Sequence, residues 1–205
     1  MTIWHGDGGA IIACAVFAYL CGSIPFGLIF ARLGGHGDIR DIGSGNIGAT
    51  NVLRTGNKHL ALATLACDIA KGFIPVLIAR QFGADAATVA AIAAPLGHIF
   101  PLWLRFKGGK GVATAAGALL AYAWPIGVAA VLTWLAMAIV FRYSSLAAVT
   151  AAAIAALYAW IMRPEGVAPL PILFIALIII WRHRTNLSRL LHGDEDKIAL
   201  RKTRA

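Results

Sequence analysis

The chain has 205 residues, a net charge of +9 and a mean hydropathy of +0.77, and 60% of its residues are hydrophobic. Only 13% are charged, about half the fraction that is usual in soluble domains. Long apolar runs fill the chain and leave no polar segment for a separate soluble domain. Because these runs are continuous rather than alternating, they exclude a barrel and predict one all-α, polytopic membrane domain over residues 1–205.

The first two predicted spans each contain an irregular feature. Residues 9–32 form the first span, which the segment Gly-Ser-Ile-Pro-Phe-Gly at 22–27 interrupts with a kink or a close helix contact. Residues 60–79 form the second span, with Asp68 and Lys71 three apart on one face. Charges inside a membrane are costly. We therefore expect these two either to pair with each other or to support a nearby polar site.

The later apolar stretch is harder to divide. The third span covers residues 84–104. Residues 112–141 are too many for one span of about 20 residues, whereas a break at Trp124-Pro125 divides them into two short spans. The last two spans are 145–162 and 167–181.

The distribution of positive charge favours the broken stretch and so seven crossings. With seven, residues 32–59, residues 105–110, residue 142 and the tail from 182 lie on one side and hold fifteen of the 18 Lys and Arg residues. The positive-inside rule then puts the N-terminus outside and the C-terminus in the cytoplasm. Membrane topology thus explains the +9 charge, and no nucleic-acid partner is predicted.

The first polar loop carries the sequence GSGNIGATNVLR at residues 43–54. Its glycines permit unusual backbone conformations, and such a loop can fold its N–H groups around an oxyanion. The alternative is a simple polar connector. The polar side chains proposed for the site are Ser44, Asn46, Thr50, Asn51 and Arg54.

The second polar loop, residues 105–111, has glycines between lysines and a predicted helix starting near Val112. Glycine N–H groups, a helix N-terminus and two ammonium groups together favour phosphate binding. The loop is not a Walker A motif, because no Ser or Thr follows the second lysine. The alternative is a basic loop that merely obeys the positive-inside rule, which explains the lysines but not the glycines. The proposed ligands are Lys107, Gly108, Gly109, Lys110 and Gly111.

The start of the tail has a similar donor-rich composition. If it is helical, His183, Asn186 and Arg189 line one face. Carboxylates are few and unclustered in the inner loops, so we expect anions to be bound directly, with no metal and no cofactor. His36 and Asp41 fit the His-x4-Asp spacing of many glycerolipid acyltransferases, in which the histidine is a general base, but two fixed residues at one spacing arise easily by chance.

Together these segments resemble the bacterial membrane glycerol-3-phosphate acyltransferases that use acyl phosphate, the PlsY family. The matching segments cover nearly the whole chain. They are GSIPFG in the first span, DIRDIGSGNIGATNVLRTG, GHIFPLWLRFKGGKGVAT and RHRTNLSRLLHGDE.

The resemblance implies acyl transfer from a long-chain acyl phosphate to the 1-hydroxyl of sn-glycerol 3-phosphate, without a metal, at the cytoplasmic face of a bacterial inner membrane. It implies no obligate protein partner beyond these two substrates and membrane lipid. By the same resemblance the catalytic residues are Ser44, Arg54, His183 and Asn186. Ser144, Ser145 and Glu195 join the two loops in substrate binding.

Two rival functions remain open from the residues. A transporter for a phosphorylated solute would also use basic, glycine-rich loops and broken helices. It predicts charges along the crossing path and an internal repeat, neither of which the sequence shows beyond Asp68 and Lys71. A surface protein that binds anionic lipid would use the basic loops, but it does not explain why Ser, Asn and Gly crowd around the cations.

Overall fold

Breaks at glycine and proline set the helix boundaries in the computed structural model, which describes residues 7–198. The described part is all helical apart from its loops, as the composition predicts. Residues 1–6 and 199–205 lie outside the described residues. The helices are α1 (Gly8–Ser23), α2 (Phe26–Leu33), α3 (Ala49–Val52), α4 (Lys58–Ala79), α5 (Ala84–Ile99), α6 (Val112–Tyr122), α7 (Trp124–Phe141), α8 (Ser144–Met162), α9 (Pro169–Arg182) and α10 (Arg184–His192).

Five helical segments among residues 7–198 are long and apolar enough to cross a membrane, and α9 with α10, bent by 53°, makes a sixth candidate. The stretch 112–141 is broken, with α6 ending at Tyr122 and α7 starting at Trp124. Pro125 lies in the first turn of α7, where its missing N–H costs nothing. However, α6 has 11 residues and spans about 16 Å against a hydrocarbon core of about 30 Å. The seventh crossing and the orientation therefore stay predictions.

Glycine contacts allow the spans to pack closely. A Cβ atom added to Gly22, Gly72, Gly97 or Gly117 would lie 2.0–2.2 Å from a backbone oxygen of the facing helix. At the crossing of α1 and α5, Gly22 faces α5 and Gly97 faces α1. At the crossing of α4 and α6, Gly72 faces α6 and Gly117 faces α4. In lipid, helices associate through such close packing because burial from water no longer drives them together.

The break in the first span brings α2 against the first polar loop. A Cβ atom on Gly27 would lie 1.9 Å from the carbonyl oxygen of Ile47. In the second span, Lys71 Nζ lies 2.7 Å from Asp68 Oδ1, so the expected pair is confirmed. The same ammonium donates to the carbonyl oxygen of Ile24, at the break between α1 and α2, over 2.7 Å.

The close crossing of α4 and α6 predicts the effect of a single methyl group. Gly72→Ala would put its Cβ 2.0 Å from Thr114 O, and such overpacking costs about 1–3 kcal/mol. We expect the thermal midpoint of the detergent-purified protein to fall by about 2–4 °C per kcal/mol. In an open helix the same exchange would stabilise. The control is Leu62→Ala on the exposed side of α4, and an unchanged or raised midpoint for Gly72→Ala would contradict the packing.

Candidate functional site

The first polar loop is closed around the side chain of Asn51, which is 2% exposed. Its Nδ2 donates to the carbonyl oxygens of Ile39, Ile42 and Asn46 over 2.8, 3.0 and 2.8 Å. Its Oδ1 accepts a hydrogen bond from the backbone N–H of Ser44 at 3.2 Å. The amide is thus used inside the loop, so Asn51 shapes the loop and does not offer itself to a substrate as the sequence suggested.

Arg54 lies across the glycine that opens this loop. Gly43 has a φ of +55°, and a Cβ atom there would lie 2.6 Å from the Arg54 side chain. The guanidinium Nη1 reaches Asp196 Oδ2 in the tail at 2.9 Å. The Thr50 hydroxyl lies 3.4 Å from that of Ser144, at the start of α8. The first loop therefore contacts both the tail and the connector before α8.

The second loop is held by its own backbone. Gly108 N–H donates to Ile99 O at 3.1 Å, and Gly109 N–H donates to His98 O at 3.0 Å. These two N–H groups are therefore not free to bind phosphate, contrary to the expectation from the sequence. Both positions require glycine because a Cβ atom would lie 2.2 Å from His98 O at Gly108 and 2.0 Å from His98 Nε2 at Gly109.

The opposite side of the second loop is held by Arg182, at the end of α9. Its guanidinium donates to the carbonyl oxygens of Gly108 and Gly109 over 3.0 and 3.2 Å. By contrast, the N–H groups of Lys110 and Gly111 make no hydrogen bond within the described part of the chain. These N–H groups, at the start of α6, are the backbone donors that remain for an anion.

The tail joins the second loop through a chain of polar contacts. The Lys110 ammonium donates to Asn186 Oδ1. Asn186 Nδ2 in turn donates to Glu195 Oε1 at 2.7 Å, and Arg189 Nε donates to Glu195 Oε2 at 2.8 Å. Burial opposes ionisation of Glu195, but the hydrogen bonds from Asn186 and Arg189 outweigh it and hold the pKa below its ordinary value. The tail thus supplies a carboxylate to a cationic site.

The electrostatics of Lys110 show that cations from separate segments converge. Burial lowers the pKa of Lys110 to about 8, the negative charge of Glu195 opposes that shift, and the positive charges of Arg189, Arg182 and Arg54 add to it. The first loop, the second loop and the tail therefore meet in one site.

His183 lies beside this site, between α9 and α10, and is 2% exposed. Its Nδ1 lies 2.7 Å from the carbonyl oxygen of Ile179. A carbonyl only accepts, so Nδ1 carries the proton and Nε2 keeps a lone pair. Burial, with the charge of Lys110 as the next cause, lowers the pKa of His183 to about 4. The ring is therefore neutral at physiological pH and presents an acceptor.

Other residues that the sequence proposed for the site are less directly connected to it. The Lys107 side chain is exposed and makes no hydrogen bond or ion pair with the described residues. Ser145 is 3% exposed, and its hydroxyl lies close enough to Glu195 to help hold the pKa of that carboxylate below its ordinary value. Ser44 is exposed. In the same range, His36 makes no hydrogen bond or ion pair with Asp41.

Two residues at the site were missed by the sequence analysis. Arg182 was counted only as part of the basic tail, and His98 only as a residue of the third span. The sequence contained a signal that could have identified His98, because a histidine in an apolar run needs a polar neighbour. Within residues 7–198 no group of three or more His, Cys, Asp or Glu side chains is arranged to hold a metal ion, and metal independence stays a prediction.

Comparison with known proteins agrees with the geometry. The family model described as glycerol-3-phosphate acyltransferase matches residues 12–193. A glycerol-3-phosphate acyltransferase of Caulobacter vibrioides is 57% identical, with 91% of this chain and 87% of the relative aligned. That of Mesorhizobium japonicum is 54% identical, with 92% and 96% aligned.

Solved structures show the same likeness. A crystal structure of PlsY, an integral membrane glycerol 3-phosphate acyltransferase, in its glycerol 3-phosphate form superposes with a TM-score of 0.87 at 42% identity, covering 94% of this chain and 96% of that one. Its lysophosphatidic acid form gives a TM-score of 0.84 at the same 42% identity, with 93% and 95% covered.

The helical bundle and its cationic site thus define an integral membrane acyltransferase. The chain belongs to the glycerol-3-phosphate acyltransferase family.

The side-chain amide of Asn51 points into the first loop, so the loop should be sensitive to replacement of this residue. Asn51→Ala leaves three carbonyl groups without their donor, and each unsatisfied buried group costs about 1–3 kcal/mol. We expect most acyltransferase activity to be lost and the thermal midpoint to fall. The matched control is Asn57→Ala in the same segment, which loses only the cap on Leu60 N–H and should stay active. Equal effects of the two exchanges would contradict the role of Asn51.

Proposed function

We propose that this protein transfers the acyl group of a long-chain acyl phosphate to the 1-hydroxyl of sn-glycerol 3-phosphate. The hydroxyl oxygen bonds to the acyl carbon while the bond from that carbon to the phosphate oxygen breaks. The products are 1-acylglycerol 3-phosphate and inorganic phosphate, which retains the hydroxyl proton. The observation that carries the proposal is the convergence of Lys110, Arg54 and the neutral His183 at one site.

Lys110 is the proposed ligand for the phosphate of glycerol 3-phosphate. Its ammonium is half-buried, and the unbonded N–H groups of Lys110 and Gly111 lie at the start of α6. A helix N-terminus favours an anion. Asn186, which now accepts from Lys110, is close enough to contact the bound glycerol.

Arg54 is the proposed ligand for the acyl phosphate. Its present partner, Asp196, has a side chain that is 71% exposed. Ion pairs at such exposure contribute little, because water screens them. A phosphate group can therefore replace the carboxylate and form a bidentate contact with the guanidinium. Ser44, exposed in the adjoining loop, would contribute a hydroxyl to the same group.

His183 is proposed to orient the attacking hydroxyl through Nε2. With its pKa near 4, the ring is a weaker base than a phosphate group, whose second pKa is about 6. The leaving phosphate is therefore the better final acceptor of the proton. The protein contributes orientation and charge stabilisation, which suffice because an acyl phosphate is already activated.

The site is proposed to face the cytoplasm of a bacterial inner membrane. The positive-inside distribution supports this orientation. The long acyl chain would lie between the helices and reach the inner leaflet. Glycerol 3-phosphate would then enter from the aqueous side, and the acyl phosphate would enter from the inner leaflet.

An activity assay tests the proposed reaction. Purified protein given palmitoyl phosphate and glycerol 3-phosphate should release inorganic phosphate, with or without EDTA. The Arg54→Ala variant should lose nearly all turnover. Absence of release from well-folded protein would contradict the reaction, and turnover with acyl-CoA in place of acyl phosphate would contradict the donor. Loss of activity in EDTA would contradict only metal independence.

The lowered pKa of Lys110 predicts a pH dependence. As the pH rises through about 8, the ammonium loses its proton and attracts phosphate less. We therefore expect kcat/KM for glycerol 3-phosphate to fall over that range.

The matched variant is Lys110→Arg, whose guanidinium stays charged, so this decline should disappear. The control is Lys58→Arg, an exposed position at the start of α4, which should keep the decline of the unmodified protein. A profile that is flat through pH 8, or identical in Lys110→Arg, would contradict the role of the ammonium.

A further inference from the structure

Three ionisable side chains form a buried cluster below the site. Asp68 and Lys71 on α4 are 1% and 5% exposed, and His98 on α5 is 5% exposed. Lys71 Nζ lies 2.7 Å and His98 Nδ1 lies 3.7 Å from Asp68 Oδ1. Buried ionic groups contribute little net stability, and within a membrane they mark functional positions. The glycine crossings join α4 to α6 and α5 to α1, whereas this cluster is a polar contact between α4 and α5.

One end of the cluster supports the first polar loop. Lys71 donates to Ile24 O at the break before α2. Its ammonium also lies 5.6 Å from the ring centroid of Phe26, the first residue of α2. That helix in turn contacts the loop at Gly27, where a Cβ atom would lie 1.9 Å from Ile47 O. The position of the loop therefore depends on this end of the cluster.

The other end supports the second polar loop. Nε2 of His98 faces Gly109, where an added Cβ atom would lie 2.0 Å away. The backbone oxygen of His98 also accepts the N–H of Gly109. Arg182 Nε donates to the carbonyl oxygen of the same residue, Gly109. Lys110 follows directly, so a shift of the His98 ring moves the ammonium that binds Asn186.

We infer that His98, which faces the carboxylate of Asp68, is a positioning residue that sets the place of Gly109 and through it the place of Lys110. The inference rests on the proposed role of Lys110 in binding the phosphate of glycerol 3-phosphate. It also explains why His98 lies in an otherwise apolar stretch of α5. A purely structural residue would instead change only how much folded enzyme is present.

A positioning role and a purely structural role of His98 predict changes in different kinetic constants. His98→Gln and Asp68→Asn should raise KM for glycerol 3-phosphate by about tenfold or more, since misplacement by about 1 Å can cost about a hundredfold. In His98→Gln, KM for the acyl phosphate should change by less than about twofold, because this exchange leaves Lys71 and its support of the first loop untouched. If kcat alone falls and both KM values stay unchanged, the inference is wrong.

The control is Thr88→Val, at the other end of α5. It removes the hydrogen bonds of the Thr88 hydroxyl to Ala84 O and Tyr122 OH without touching the second loop. Its KM for glycerol 3-phosphate should match that of the unmodified protein. An equal rise in this control would show that any polar loss in α5 has the same effect, and it would overturn the assignment to His98.

A double-mutant cycle tests whether His98 acts through Lys110. If it does, His98→Gln combined with Lys110→Ala should raise KM for glycerol 3-phosphate no further than Lys110→Ala alone. Additive effects would mean that the two residues act separately, which would overturn the inference.

Two further measurements cover the remaining outcomes. If His98→Gln does not fold, Gly109→Ala disturbs the same contact from the loop side, and an unchanged KM for glycerol 3-phosphate would overturn the inference. If the unmodified protein shows no turnover, the proposed reaction fails. In that case, a calorimetric measurement of glycerol 3-phosphate binding tests the positioning role of His98 without any need for turnover. Binding about tenfold weaker in the Asp68→Asn protein supports the positioning role, and equal binding refutes it.

Discussion

The site depends on the hydrogen-bond chain that joins Lys110, Asn186 and Glu195. A carboxamide is suited to the middle of that chain, because its oxygen accepts from the ammonium while its nitrogen donates to the carboxylate. The Glu195 side chain is only 8% exposed and also pairs with Arg189. Without this link Glu195 would lose its connection to the second loop, and the half-buried ammonium would lack its acceptor. The tail is therefore part of the site.

Bringing several cations together costs free energy, since like charges repel strongly where water is scarce. The fold must supply that energy from contacts other than the charges. The crossings at Gly22 and Gly72 bring backbones into contact, and the second loop is fixed by hydrogen bonds to Ile99 and His98. Rigid backbone contacts thus hold charges that would otherwise separate.

The sequence predicted the features that follow from composition and spacing. Apolar runs predict helices, and Pro125 predicts the break that the structure shows. The polar residues at helix spacing in the tail predicted that Asn186 would reach the site. Directions of hydrogen bonds were not predictable. The amide of Asn51 points into its own loop, and the N–H of Gly109 is taken by His98, because both depend on segments that meet only in the folded chain. The pattern of residue types does not contain that information.

The Lys110 charge that is proposed to bind phosphate also contributes to the state of His183. Burial and the nearby ammonium of Lys110 lower its pKa to about 4, and the carbonyl of Ile179 fixes the proton on Nδ1. A protonated ring would have no lone pair to accept a hydrogen bond from an attacking hydroxyl. A less cationic and more open site would let the ring charge and lose that acceptor. In the proposed reaction, the Lys110 ammonium that attracts phosphate therefore also adds to the effect of burial, which keeps His183 neutral and able to orient the hydroxyl.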